Sequence, residues 1–95
     1  MTELKETVGL MESKDYKERF RAEYWQTKIR YEKLKAFNTK IRVAQKASWS
    51  GESQTFSVDM PKHDSPIDLL SEQQRLMGDY LRVLEERAVF EGISL

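Results

Sequence analysis

The sequence contains no cysteine and a single histidine, His63. Without thiols it can build neither a disulfide framework nor a thiolate metal site, and one imidazole with no neighbouring ligand does not make a metal centre. No apolar run approaches membrane-spanning length, and the opening MTELKETVGLMES is too polar for a secretory signal. These absences lead us to expect a cytoplasmic protein with no membrane partner. A glycine-rich phosphate loop, a G-x-S-x-G elbow, an H-E-x-x-H pair and a calcium-loop carboxylate cluster are all missing. Glu85 and Glu86 are adjacent, so on a helix they point about 100° apart and do not form a carboxylate pair. The expectation is a binding protein rather than an enzyme, with no catalytic residues, metal or cofactor.

Glycine and proline are also scarce, four and two in 95 residues, while 34% of the chain is charged. That composition suits long exposed helices better than a sheet. Sixteen basic and sixteen acidic side chains cancel overall, but Lys14 to Lys46 holds eleven Lys or Arg against four Asp or Glu. The remainder is correspondingly acidic. Overall neutrality argues against a protein that coats DNA or RNA through broad phosphate neutralisation, and no DNA partner is expected. It leaves room for a local anion site.

At 100° per residue, Tyr16, Phe20, Tyr24, Thr27, Tyr31, Leu34, Asn38 and Ile41 form one stripe, which predicts a long helix over about 14–46. Ser13 is the expected N-cap, with Asp15 near the positive end of the helix dipole. Trp25, Ile29, Ala36 and Val43 fall on nearly the opposite side, so one partner helix does not cover both faces. Asn38 lies within the apolar stripe, where a polar contact would fix register; Asn38 and Thr39 together also mark a place where the helix could bend. Residues 1–12 are expected to form a flexible arm packing on a neighbour, and residues 13–95 a single hairpin domain.

Residues 47–65 read as a connector, with TFSVDM as a short extended piece. A second helix is predicted over about 66–91, with Ser65 as N-cap, Pro66 in the first helical position, Asp68 in the first turn and Gly92 as a left-handed C-terminal cap that folds Ile93 back. Ile67, Leu70, Met77, Leu81, Leu84 and Ala88 make one apolar seam on it, and Leu69, Leu76, Tyr80 and Val83 make another beside it. Two adjoining seams need two partners or one large one, and in a chain with only two long helices the second must come from another copy. The fold expected is therefore all-α, an antiparallel helical hairpin assembling as a homo-oligomer.

Two basic lines flank the aromatic stripe. Arg21, Lys28, Lys35 and Arg42 recur every seven residues, and Arg19, Arg30 and Lys33 interleave with Gln26 and Phe37 on the other edge. Such lines serve as solvated faces whose long stems cover apolar surface, as contacts for acidic partners, or as phosphate sites with aromatic rings stacking on bases. A structural or interaction protein and a small RNA-binding module remain alternatives to a nucleotide-binding protein.

The layout DYKERFRAEYWQTKIRYEKL, a polar loop, then SPIDLLSEQQRLMGDYLRVLEERAVFEGI resembles the bacteriophage anti-CBASS cyclic-nucleotide sponges, whose hairpin is shared with a Thoeris anti-defence sponge. The resemblance implies a cytoplasmic homohexamer that captures cyclic di- or trinucleotides without cleaving them, with dinucleotide pockets between subunits and trinucleotide sites near three-fold axes. Tyr16 matches the family's pocket tyrosine. Arg30, in the run Thr27, Lys28, Ile29, Arg30, takes the place of its pocket lysine. Arg19, Lys33 and Phe37 are the further ligand-binding candidates. Ser65 and Ile67 stand where the family carries a basic contact to a second site. Tyr16 and Arg30 are 14 residues apart, about 21 Å on a straight helix, so both reach one compact ligand only from different copies or if the chain bends.

Overall fold

The computed structural model describes residues 3–49 and 59–95, and among these it contains helices and no strand. A 3-10 turn over Leu4–Thr7 runs into the short helix α1, Val8–Met11, followed by the two long helices α2, Tyr16–Trp49, and α3, Ile67–Glu91. The short extended piece expected at 55–60 falls, apart from Asp59 and Met60, outside the described residues.

Contacts between the long helices pair rising numbers with falling ones: Tyr16 with Glu91, Tyr24 with Glu85, and Asn38 with Leu70. This is an antiparallel hairpin, as the paired apolar stripes predict. Phe20, Tyr24, Leu81, Leu84, Ala88 and Ile93 form its core, flanked by Trp25 and Tyr31. The first α3 seam supplies that core, with Leu81, Leu84 and Ala88 buried.

Both helix starts lie slightly later than expected, and the caps change with them. Asp15 caps α2: its carbonyl accepts from the Arg19 amide at 3.1 Å and its carboxylate from the Lys17 amide at 3.0 Å. The cap is the residue whose carbonyl opens the i to i+4 ladder, and Ser13 sits too early for that. Its hydroxyl accepts from the Asp15 amide instead, at 3.0 Å. In α3 the cap is Pro66, in extended geometry with ψ 148°, and its carbonyl accepts from the Leu70 amide at 3.2 Å. Ser65 is therefore not the cap, and no side chain takes that role.

At the other end of α3, Gly92 adopts φ 67°, which an L side chain rarely tolerates. The Ile93 amide then bonds the Ala88 carbonyl at 2.8 Å, and Ile93 is turned into the core.

Asn38 is buried and does fix register. Its Nδ2 donates to the Leu70 carbonyl at 3.1 Å and to Gln74 Oε1 at 2.9 Å, while its Oδ1 has no partner. The helix does not break here. Thr39 turns its hydroxyl back to the Lys35 carbonyl, 2.9 Å away, and α2 continues to Trp49.

The two remaining apolar faces have different fates. The segment at 4–11 packs on α2, where Thr7 is fully buried and accepts from Gln26 Nε2 at 3.0 Å. Ala22 and Ile29 are buried on the same helix, whereas Val43 is 47% exposed. The second α3 seam stays open: Leu69, Leu76, Tyr80 and Val83 are each at least 41% exposed, beside a shallow groove of about 470 Å³.

Candidate functional site

Tyr16 opens α2 and, because the hairpin is antiparallel, lies beside the last turn of α3. Its hydroxyl donates to Glu91 Oε1 at 3.0 Å and accepts from the Arg87 guanidinium. Arg87 also donates through Nε to Glu91 Oε2 at 2.9 Å and lies 5.0 Å over the Phe20 ring. The hydrogen bond to Glu91 raises the Arg87 pKa further above its ordinary value. Tyr16 itself meets Phe20 edge to face, with centroids 6.2 Å apart, and is 46% exposed. Its phenol is thus held at the oxygen end while its ring remains accessible for stacking.

Arg87 was not among the residues singled out from sequence. A usable signal was present, since Arg87 and Glu91 are one turn apart at the end of a helix whose antiparallel partner begins at Tyr16. Reading it required pairing the ends of the two helices.

Arg30 is exposed and borders a cleft of about 320 Å³ between α2 and the amino-terminal segment. Lys5, Val8 and Met11 line the other side of that cleft, and Gln26 bridges it through Nε2, which bonds Thr7 Oγ1 at 3.0 Å and meets Met11 Sδ at 3.3 Å. Among the described residues, no side-chain hydrogen bond or ion pair engages Arg30. An unpaired guanidinium next to apolar surface is a chemically competent phosphate contact.

The other candidates lie apart. Arg19 Nη1 donates to the Ser13 carbonyl at 2.9 Å, tying the loop before α2 to its first turn. Lys33 is exposed, and Phe37 is half-buried with its ring 6.5 Å from that of His63. His63 Nδ1 in turn lies 2.7 Å from the Ser65 carbonyl, so Phe37 and Ser65 are linked through the histidine, and Ile67 begins α3 nearby in sequence. Because α2 is unbroken from Tyr16 onward, Tyr16 and Arg30 are separated by about 21 Å along one helix, and no single subunit brings them together.

The heptad-spaced basic line is partly engaged within the subunit. Arg21 Nε donates to the Ser94 carbonyl at 2.7 Å, Lys28 pairs with Glu32 at 3.1 Å, and Arg42 Nη2 donates to Ser71 Oγ at 3.3 Å. These are neutral or same-helix partners.

A helical hairpin with an exposed held tyrosine, an unpaired arginine beside a cleft and an uncovered apolar helix face offers surfaces of the kind small binding proteins use. The chain belongs to the Sequestin family, which matches residues 14–90 and so takes in both long helices. That membership agrees with the sponge resemblance read from the sequence, and the family name describes a sequestering protein. No curated protein and no solved structure matches the chain. Among the described residues no helix is long and apolar enough to cross a membrane, and no group of three or more His, Cys, Asp or Glu side chains is placed to hold a metal ion.

Proposed function

We propose that the protein is a non-catalytic sponge that captures cyclic oligonucleotide second messengers in the cytoplasm of a phage-infected bacterium and so blocks CBASS-type signalling. The observation that carries this reading is the Sequestin match over residues 14–90, which spans Tyr16 and Arg30 together. The working form is a homo-oligomer, a hexamer by the family resemblance, and it uses no cofactor.

In this reading the Tyr16 ring of one copy stacks on a base and the Arg30 guanidinium of another pairs with phosphate. Two copies are needed because the residues are about 21 Å apart on one continuous helix. The open α3 seam of Leu69, Leu76, Tyr80 and Val83 supports assembly, since an apolar row of this extent is normally covered by a partner. Sequestration acts by mass action: a messenger held with nanomolar affinity, about −12 kcal/mol, is withheld from its effector.

The test is calorimetry with a panel of cyclic di- and trinucleotides, followed by heating and chromatography of the released ligand. At least one tight ligand, recovered intact, is expected. Tyr16→Ala and Arg30→Glu are expected to abolish binding while sedimentation shows the oligomer unchanged. Absence of binding across the whole panel overturns the proposal, and a cleaved ligand overturns its non-catalytic part.

A further inference from the structure

On the α2–α3 seam, away from Tyr16 and from the Arg30 cleft, a polar groove of about 410 Å³ is bordered by Tyr31, Arg42, Ser71, Gln74, Arg75 and Asp79. Its shape depends on Gly78. A Cβ there would meet Tyr31 Cε1 at 3.3 Å and Tyr31 Oη at 3.4 Å, so the ring lies directly against the α3 backbone and the space above it is left open. A mid-helix glycine costs about 1 kcal/mol in helix propensity relative to alanine, and here that cost accompanies the close packing of Tyr31.

The lining is rich in donors. Arg42 Nη2 reaches only a neutral partner, Ser71 Oγ, at 3.3 Å. Arg75 Nη1 lies 3.6 Å from Asp79 Oδ2, and the two side chains are 64% and 61% exposed. An ion pair so solvated contributes little, so Arg75 is readily redirected to a better acceptor. Gln74 Oε1 is already occupied by Asn38 Nδ2 at 2.9 Å, which fixes the carboxamide and leaves its NH2 as the available end. The hydroxyls of Ser71 and Tyr31 complete the set. Two guanidiniums against one carboxylate leave the groove with one excess positive charge.

We propose that this groove binds the phosphate group of a small ligand, with Arg42 and Arg75 as the charged jaws and the Gln74 amide and Ser71 hydroxyl as neutral donors. Paired guanidiniums match the oxygens of a phosphate monoester or diester, and charge-assisted bonds of this kind are stronger than the neutral Arg42 to Ser71 contact they replace. The site lies within one hairpin and draws no residue from a neighbouring copy. It is therefore independent of the pocket built from Tyr16 and Arg30.

The experiment is an amide-resolved NMR titration of the full chain at low ionic strength, where exposed charges are least screened. The probes are inorganic phosphate, adenosine 5′-monophosphate and uncharged adenosine. Both phosphate-bearing probes are expected to shift the amides of residues 71–79 and of Arg42, and adenosine is not. Arg42→Ala combined with Arg75→Ala is expected to weaken monophosphate binding by about tenfold or more, with an unchanged melting curve because both side chains are solvent-facing. Arg42→Gln provides a second, milder variant and is expected to weaken binding by a smaller factor. Tyr16→Ala with Arg30→Glu is expected to leave these shifts intact. Equal binding of adenosine, no shift at millimolar phosphate, or loss of the shifts in the Tyr16 and Arg30 variant while the arginine variants retain them each overturns the inference. None of those three results bears on capture of cyclic nucleotides between copies.

Discussion

The Tyr24 hydroxyl donates across the hairpin to Glu85 Oε2 at 2.6 Å, joining the buried stripe of α2 to the carboxylate edge of α3. Burial, reinforced by that hydrogen bond, pushes the Tyr24 phenol up to about 12. In the unfolded chain the phenol titrates near 10, so the folded state holds the proton more tightly. The contribution is fully present below pH 10 and is lost as pH rises through about 12. Urea unfolding of wild type and Tyr24→Phe across this range is expected to show a steeper loss of stability in the wild type. At neutral pH the variant is expected to lose about 1 kcal/mol, the usual net value of a hydrogen bond with a solvated partner.

Gly78 is expected to show a sharp dependence on side-chain size. With the Tyr31 ring 3.3 Å from an added Cβ, Gly78→Ala requires a ring shift of a few tenths of an ångström, which the gain in helix propensity largely offsets. Its unfolding free energy is expected within about 1 kcal/mol of wild type. Gly78→Leu forces the ring out and is expected to cost about 1–3 kcal/mol, read from the urea midpoint.

Asn38 separates two kinds of substitution. Asn38→Ala leaves a void between α2 and α3, whereas Asn38→Leu fills it and removes the unpartnered Oδ1. The Leu70 carbonyl keeps its intrahelical bond in either case. We expect Asn38→Ala to cost about 2 kcal/mol and Asn38→Leu to cost less, with thermal melts ranking the two.

Docking of the amino-terminal segment rests heavily on one hydroxyl. Thr7 Oγ1 donates to the Leu4 carbonyl at 2.6 Å and accepts from Gln26 Nε2. Thr7→Val keeps the shape and removes both bonds, a loss of about 1–2 kcal/mol. Hydrogen exchange is expected to accelerate at residues 8–12 and to stay unchanged at Leu81 and Leu84.

Assembly through the open α3 seam makes its own prediction. Leu76→Lys with Val83→Lys places two charges on a face that contributes little to the hairpin core, since both residues are exposed in the single chain. The helical circular dichroism signal is expected to persist while sedimentation shifts to smaller species. An unchanged sedimentation coefficient places the subunit contact on another surface.

Much of the hairpin was legible because periodicity reports burial directly. The stripe containing Phe20, Tyr24 and Ile41 faces the seam containing Leu81, Leu84 and Ala88, and Gly92 stops α3 as glycine's left-handed freedom predicts. Caps were harder to read, because Ser13 and Asp15 are both competent and the choice depends on where the backbone ladder opens. The role of residues 4–11 was hidden for a different reason. Leu4, Thr7 and Met11 are too few to show a period, and their value depends on the shape of α2 around Gln26 and Ile29. At the candidate site, Tyr16 and Arg30 are proposed from the family resemblance, and the structure adds where each lies on α2. Arg87 required knowing which helix ends meet.

The ion pairs Lys28–Glu32, Arg75–Asp79, Arg82–Glu86 and Arg87–Glu91 each join residues one turn apart on the same helix, whereas the long helices are joined by apolar side chains and by hydrogen bonds with at least one neutral partner, among them those of Asn38, Tyr24, Tyr16 and Arg42. Added salt therefore has little purchase on the hairpin, but it screens an arginine that holds an anion. For the proposed phosphate contacts ionic strength becomes a selective dial, with concentrated buffer expected to release the ligand from a protein that stays folded.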